Sequence, residues 1–304
     1  MTLRLNAPLA DVAERASAAA PAADSRARIL MCAPDHFAVD YVINPWMEDQ
    51  IGRTQRTQAR AQWENLRLHL AREAALAYVP SAPGLPDMVF TANAGLVIGE
   101  TVVVTRFHAK ERRPEEDLFR AWFERAGFST AAWPDKVAFE GAGDALFDRA
   151  RGLIWCGHGW RSSEEAPPLI ERIFETRAVG LRLVDPRFYH LDTCLCPLPG
   201  GWLLYYPQAF DERSRDVIAT LVPAEFRIEL DEREAASFAC NAIAIGDRIF
   251  LNACPPRLER RLREAGLSPV VTPLSEFVRA GGAAKCLTLE LPPTRADLSS
   301  LRLK

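Results

Sequence analysis

Hydrophobic and polar positions along this chain follow two periods, and the switch between them recurs at regular intervals. The longest helical pattern spans residues 54–76. There Trp63, Leu66, Leu68, Leu70 and Ala74 are spaced among Arg, Gln and Glu at roughly helical period. Ahead of it, RILMC begins a strand at Arg28 that Ala33-Pro34-Asp35 breaks. A turn-rich run at 80–86 then leads into MVFTANAGLVIG and ETVVVTRF. These read as two strands joined across Gly99-Glu100 with hairpin spacing. A helix is predicted over 114–126 and stops at Gly127, a residue suited to the left-handed conformation past a helix end.

The same order repeats downstream. VAFEGAGDALFD and GLIWCGHG read as paired strands, followed by a helix over 163–176 opened by Ser162 and the acidic Glu164-Glu165. LRLVD is a strand and CLCPLPGGWLLYY a hairpin turning at Pro199-Gly200-Gly201. A helix over 211–221 and the strand FRIEL come next, then the hairpin NAIAIGDRIFLN turning at Gly246-Asp247. A helix over 256–265 ends at Gly266, and PVVTPL and LTLEL are the closing strands. A hairpin–helix–strand unit of roughly 40 to 50 residues therefore recurs about five times, the pattern of a propeller-like ring. A Rossmann arrangement fits poorly, because it needs a Gly-rich strand-to-helix turn near the start. Residues 1–27 are Ala-rich with helical spacing over 8–20. They are expected to form a peripheral helix and linker ahead of a single α/β domain over 28–304.

Composition narrows the class. The 304 residues are 48% hydrophobic and 25% charged, enough for a large core. Lys plus Arg number 37 against 40 Asp plus Glu, a formal charge of −3. That lacks the basic excess of a nucleic-acid or anionic-membrane binder. No apolar run approaches the roughly 20 residues that span a bilayer. Arg4, Asp11, Glu14 and Arg15 interrupt anything like a signal peptide, so a cytoplasmic protein is expected. The 7 cysteines are odd in number and scattered, which argues against a disulfide scaffold. Cys194 and Cys196 have no second pair at zinc-binding spacing, and most of the seven read as small buried hydrophobes.

Four loops carry residues that packing does not explain. AGGAAKCLTLEL places Cys286 after Gly281-Gly282, a pair that permits close backbone approach, with Lys285 beside it to favour a thiolate. The same segment reads equally as a buried cysteine opening a strand. RFYHLDTCLCPL places His190 and Asp192 two apart, on one face if the segment is extended. Glu140 in VAFEGAGDALFD stands beside glycine, where a carboxylate could orient His190; alone it is an ordinary turn acid. LPDMVFTANAGLV embeds Asp87 and Asn93 in an apolar run, which is costly unless both are bonded. Together these residues form a nucleophile, a base, an orienting carboxylate and further acids.

The segments PDMVFTANAG, FEGAGDALF, YHLDT and AGGAAKC, in this order, resemble the guanidino-group-modifying (pentein) superfamily, which holds the arginine deiminases, dimethylarginine dimethylaminohydrolases and amidinotransferases. MCAPDHFAVDYVINPWM, LRLVDPRFYHLDTCLCPL, FACNAIAIG and GGAAKCLTLEL are similar to the catalytic module of cyanobacterial arginine dihydrolases. The resemblance runs from about Arg28 to Leu291. It implies a five-bladed ββαβ propeller. It assigns Cys286 as nucleophile, His190 as general acid/base and Glu140 as its orienting residue. Asp87 and Asp192 become substrate-contacting acids, Asn44 an active-site asparagine, and Arg112 and Arg161 binders of the substrate α-carboxylate, with Arg113 a substitute for Arg112. Glu140-Gly141-Ala142-Gly143-Asp144 is one residue longer than the usual deiminase motif, which leaves the placement of Asp144 open. The longer dihydrolases carry a further C-terminal domain, which this chain is expected to lack.

The activity implied is hydrolysis of L-arginine to L-ornithine, carbon dioxide and ammonia, with no metal or organic cofactor. The partner implied is a small guanidino or ureido substrate; nucleic acid and membrane are not implied, and a homo-oligomer is left open. Asn93 discriminates within the family. Dimethylarginine hydrolases hold Asp there, whereas an Asn amide can donate to the oxygen of a neutral ureido group. Arginine deiminase and dimethylarginine dimethylaminohydrolase are the alternatives, and a non-catalytic propeller is the alternative outside the enzymes.

Overall fold

The computed structural model describes residues 26–292. The N-terminal helix expected over 8–20 lies outside the described residues. Among the described residues, fifteen strands form five three-stranded sheets. The strands are β1 (Ala27–Cys32), β2 (Ala74–Val79), β3 (Gly95–Ile98), β4 (Thr101–Val104), β5 (Ser129–Thr130), β6 (Ala145–Asp148), β7 (Leu153–His158), β8 (Ala178–Arg182), β9 (Leu195–Pro197), β10 (Leu203–Tyr205), β11 (Arg227–Glu229), β12 (Ile243–Ile245), β13 (Arg248–Leu251), β14 (Ser268–Val271) and β15 (Leu289–Leu291). Every sheet combines one antiparallel pair with one parallel pair, as in β3-β4-β5 and β6-β7-β8.

A parallel return needs a crossover, and helices supply it. The crossover helices are α1 (Arg56–Glu73), α2 (Glu115–Arg125), α3 (Ala166–Phe174), α4 (Glu212–Leu221) and, after the short α5 (Glu232–Ala236), α6 (Pro256–Glu264). A last short helix, α7 (Ser275–Val278), precedes the loop that carries Cys286. The repeating hairpin–helix–strand unit is therefore observed, with one rearrangement. The first sheet has the order β15-β1-β2, so its antiparallel pair comes from opposite ends of the described chain, with Arg28 opposite Leu291 and Leu30 opposite Leu289.

Two expectations change. The helix predicted through residue 76 ends at Glu73, and Ala74–Val79 is β2, parallel to β1. A short apolar run such as AALAYV fits either period, and pairing with β1 decides it. The apolar runs read as strands at MVFTANAG and VAFEGAG contain 3₁₀ turns instead, at Pro86–Val89, Thr91–Ala94 and Gly141–Gly143. A further turn, Leu191–Thr193, replaces the extended segment expected at His190 and Asp192. These turns sit immediately before β3, β6 and β9, where they deliver side chains to one place.

The core supports that place. Ala59, Trp63, Leu66 and Leu70 form the buried face of α1 and share one apolar cluster with Phe90, Phe277, Cys286 and Leu287. Each large side chain of this kind contributes about 1.5–3 kcal/mol on burial. Cys286 and its neighbour Leu287 thus belong to the core, not to a mobile surface loop. Among the described residues no helix is long and apolar enough to cross a membrane.

Candidate active site

Cys286 lies in the turn between α7 and β15, and is 2% exposed. Its Sγ lies 3.3 Å from Asp192 Oδ2 and 3.1 Å from the amide nitrogen of Asn241. Burial and the adjacent Asp192 push the thiol well above its ordinary range, while Asn241 acts in the opposite direction. Asp192 is itself fully buried, and burial pushes its carboxyl up to about 7, with Lys285 the main opposing influence. Lys285 lines a cavity together with Glu290 and Arg149, and Asn241 and a backbone N–H act on the thiol in favour of the thiolate.

The Gly281-Gly282 loop meets its expectation. Gly281 has φ +84°, and a Cβ there would stand 2.6 Å from the Tyr189 hydroxyl and 3.0 Å from Asn44 Oδ1. A Cβ on Gly282 would lie 2.6 Å from the Phe90 ring. Only glycine lets this loop press against the cavity wall.

His190 and Glu140 meet as expected, with Nε2 2.7 Å from Oε2. The same Glu140 oxygen accepts from Arg161 at 3.0 Å, and Oε1 accepts from the His108 backbone N–H at 3.1 Å. Burial works against ionisation, but Arg161 and His190 outweigh it and hold the Glu140 carboxyl well below the usual carboxylate range. Asp144 accepts from Ser162 Oγ at 2.7 Å and from the Leu191 N–H at 3.0 Å, so it anchors the turn that follows His190. Burial pushes Asp144 up to about 6. His190 and Asp192 are thus both brought to the site, by a 3₁₀ turn rather than a strand face.

Asp87, Asn93, Arg112, Arg161, Asn44 and Cys286 line one small cavity. Asp87 Oδ2 accepts from the Tyr41 hydroxyl at 2.8 Å. Its Oδ1 is buried without a hydrogen-bond partner, and so is Oδ1 of Asp192. Asn93 is fixed at both ends: its oxygen accepts from Arg112 at 2.8 Å and its nitrogen donates to the Glu140 carbonyl at 3.2 Å. An NH₂ group has two protons, so one remains for a ligand. Asn44 Nδ2 donates to the Ala280 carbonyl at 3.1 Å, tying the first loop to the glycine loop.

Arg112 and Arg161 reach the cavity, but most of their donors are engaged. Arg112 spans Glu115, Asn93 and the Asp87 carbonyl. Arg161 bonds Glu140 and the Ile43 carbonyl and lies 4.5 Å over the Tyr189 ring. Arg113 is exposed and bonds the Phe107 carbonyl, so Arg112 is the arginine of the cavity. Sequence reasoning missed Asn241, Glu115, Ser162 and Tyr41. FACNAIAIG did contain a signal for Asn241, a buried amide between apolar residues, but nothing local tells its partner.

The family model for N,N dimethylarginine dimethylhydrolase, eukaryotic, matches residues 35–292. The bifunctional arginine dihydrolase/ornithine cyclodeaminase ArgZ of Synechocystis sp. is 52% identical over 277 residues, 90% of this chain but 39% of ArgZ. The chain thus spans about two fifths of the length of that relative. The N(G),N(G)-dimethylarginine dimethylaminohydrolase of Mycobacterium tuberculosis is 36% identical, over 88% of this chain and 86% of its own. Among solved structures, the N-terminal domain of an ArgZ cysteine-to-serine mutant bound to substrate superposes with a TM-score of 0.86 at 52% identity, covering 87% of this chain and 98% of that one.

Proposed function

The chain belongs to the N,N dimethylarginine dimethylhydrolase family, within the guanidino-group-modifying superfamily, and on that premise we propose that it is an arginine dihydrolase module. It hydrolyses L-arginine to L-ornithine, carbon dioxide and ammonia through a covalent intermediate on Cys286. The observation that carries this reading is a neutral Asn93 amide on the wall of a cavity with two buried acids, Asp87 in its lining and Asp192 in contact with Cys286, that each keep one oxygen unpartnered. Two such oxygens match the N–H edges of a guanidinium, a charge-assisted and directional arrangement. ArgZ supports it further: its N-terminal domain has been seen bound to substrate, bound to product, and, in an asparagine-to-serine mutant, covalently bound to a reaction intermediate. The mutated asparagine and cysteine of those structures stand as far apart in sequence as Asn93 and Cys286 do here.

The chemistry follows from the groups in place. Arginine's cation, held by Asp87 and Asp192, offsets the carboxylate that keeps the thiol protonated, and Cys286 is activated as substrate binds. The thiolate adds to the guanidinium carbon, and the C–N bond breaks as His190 protonates departing ammonia. His190, oriented by Glu140, then takes a proton from water, which adds to the thiouronium; the C–S bond breaks and leaves citrulline. A second attack on the neutral ureido carbon gathers negative charge on its oxygen, which the free Asn93 N–H stabilises. Loss of the second ammonia and hydrolysis of the thiocarbamate give a carbamate, which loses carbon dioxide to yield ornithine. Arg161 and Arg112 complete the cavity toward the substrate α-carboxylate, with Asn44 holding the glycine loop over it.

The same reading closes the five sheets into a five-bladed ββαβ propeller through the β15–β1 pair, forming one catalytic domain in a cytoplasmic setting. Hydrolysis of N-methylated arginine is the second reading, favoured by the near full-length match to the mycobacterial dimethylarginine dimethylaminohydrolase. Product analysis after incubation with L-arginine and, in parallel, with N,N-dimethylarginine decides between them. Ornithine in excess of citrulline is expected. Citrulline alone from arginine supports a deiminase, and dimethylamine release from dimethylarginine alone supports the second reading.

A further inference from the structure

Asn241 makes more contacts to the nucleophile than any residue the sequence pointed to. It sits in the loop between α5 and β12 and is fully buried. Its side-chain nitrogen donates to Cys286 Sγ at 3.1 Å and to the Asp192 carbonyl at 3.1 Å, which uses both amide protons. Its side-chain oxygen accepts from the Ala283 N–H at 2.9 Å and from the Cys286 N–H at 3.1 Å. Its own carbonyl accepts from the Lys285 N–H at 3.2 Å. One side chain therefore ties the backbone on both sides of Lys285, the sulfur, and the loop that carries Asp192.

The backbone leading to it is strained. Phe238, three residues earlier, has φ 61° and is fully buried, a rare conformation for a bulky aromatic residue. Its carbonyl accepts from the Asn241 N–H at 3.1 Å, closing a turn onto Asn241. Trp46 packs against the Phe238 ring at 4.7 Å between centroids. The fold thus spends conformational energy to hold Asn241 where it is.

We propose that Asn241 is the positioning residue of the nucleophile, fixing the Cys286 rotamer and donating the one side-chain N–H that favours thiolate over thiol before substrate arrives. This rests on Cys286 being the nucleophile of the proposed reaction. Asparagine is required here over its isostere aspartate. A carboxylate keeps the acceptor for Ala283 and Cys286 but replaces the donor with negative charge, next to the Asp192 carboxylate and the sulfur.

The test is Asn241→Asp, read by pH-dependent iodoacetamide alkylation of Cys286 resolved at the peptide level, beside kcat and KM for arginine. Peptide resolution separates Cys286 from half-buried Cys254. The expected result is an alkylation midpoint raised by about one pH unit or more, the tenfold or greater effect of a lost charge-assisted hydrogen bond. The fall in activity should lie in kcat, with KM within about threefold. Should Asn241→Asp fail to fold, Asn241→Ser removes donor and clamp without adding charge, and a raised midpoint is again expected. A midpoint unchanged in a folded variant overturns the proposal, even if activity falls. Wild-type protein that alkylates at Cys286 but releases no ammonia from arginine overturns the proposed function instead, while the midpoint comparison still decides the role of Asn241.

Discussion

Two sets of charged residues in and around the cavity are built to opposite rules. In the set Arg112, Arg161, Glu140 and His190, charges are paired. Glu140 takes three donors, and Arg112 divides its guanidinium among Glu115, Asn93 and a carbonyl. In the set Asp87, Asp192 and Cys286, two carboxylate oxygens are buried and unpartnered, and the thiol faces a carboxylate. A buried polar group without a partner costs about 1–3 kcal/mol, more when charged. The paired set stabilises its own geometry, and the unpaired set holds a deficit that a bound cation would remove. On the proposed reading, the groups that orient the chemistry are satisfied and the groups that take the substrate are not.

The sharpest way to break this contrast is at the sulfur. Cys286→Ser should leave the fold and the paired set intact yet reduce turnover to below about one per cent, because a serine hydroxyl is far harder to ionise than a thiol. Measured activity above that level in a correctly folded variant removes Cys286 from the nucleophile role.

Asp192→Asn tests the deficit itself. The native carboxyl binds its proton up to about 7, against an ordinary value of 3.8. Between these values the folded protein holds a proton that the unfolded chain has lost. Stability from this group is therefore full below the ordinary value and is lost as pH rises through about 7. Asparagine resembles the protonated acid at every pH. Asp192→Asn should then melt above wild type at pH 8 and alongside it near about pH 4, while kcat/KM for arginine falls on the order of a hundredfold. A variant less stable than wild type at pH 8 contradicts an uncompensated charge at Asp192. Wild-type kcat/KM should itself fall as pH drops below about 7, since the protonated acid cannot hold the cation.

Asn93 lines the cavity beside the paired set, with its oxygen on Arg112 and its nitrogen on the Glu140 carbonyl. Losing one donor to a developing oxyanion costs about 3 kcal/mol, on the order of a hundredfold, and only the ureido step develops that charge. Asn93→Ser or Asn93→Asp should still consume arginine but accumulate citrulline, as chromatography of the products will read. Ornithine at the wild-type ratio moves the determinant elsewhere. The smallest effect belongs to Arg113, which is exposed and bonds the Phe107 carbonyl: Arg113→Ala should leave KM for arginine within about twofold. A larger rise would return the α-carboxylate to Arg113.

Much of this was legible in the chain. Period and turn residues report on neighbours within a few positions, so hairpins, crossover helices and their fivefold recurrence could be read directly. Residue chemistry also marked Cys286, His190, Glu140, Asp87 and Asn93, because nucleophiles and acids set among glycines and apolar residues need a reason to be there. What remained hidden depends on pairing at a distance. Cys286 meets Asp192 across 94 positions and Asn241 across 45, and His190 meets Glu140 across 50. No local pattern states which buried oxygen finds a donor, or that β1 pairs with β15. Those outcomes depend on where separate sheets bring their turns together, and only the tertiary structure decided them.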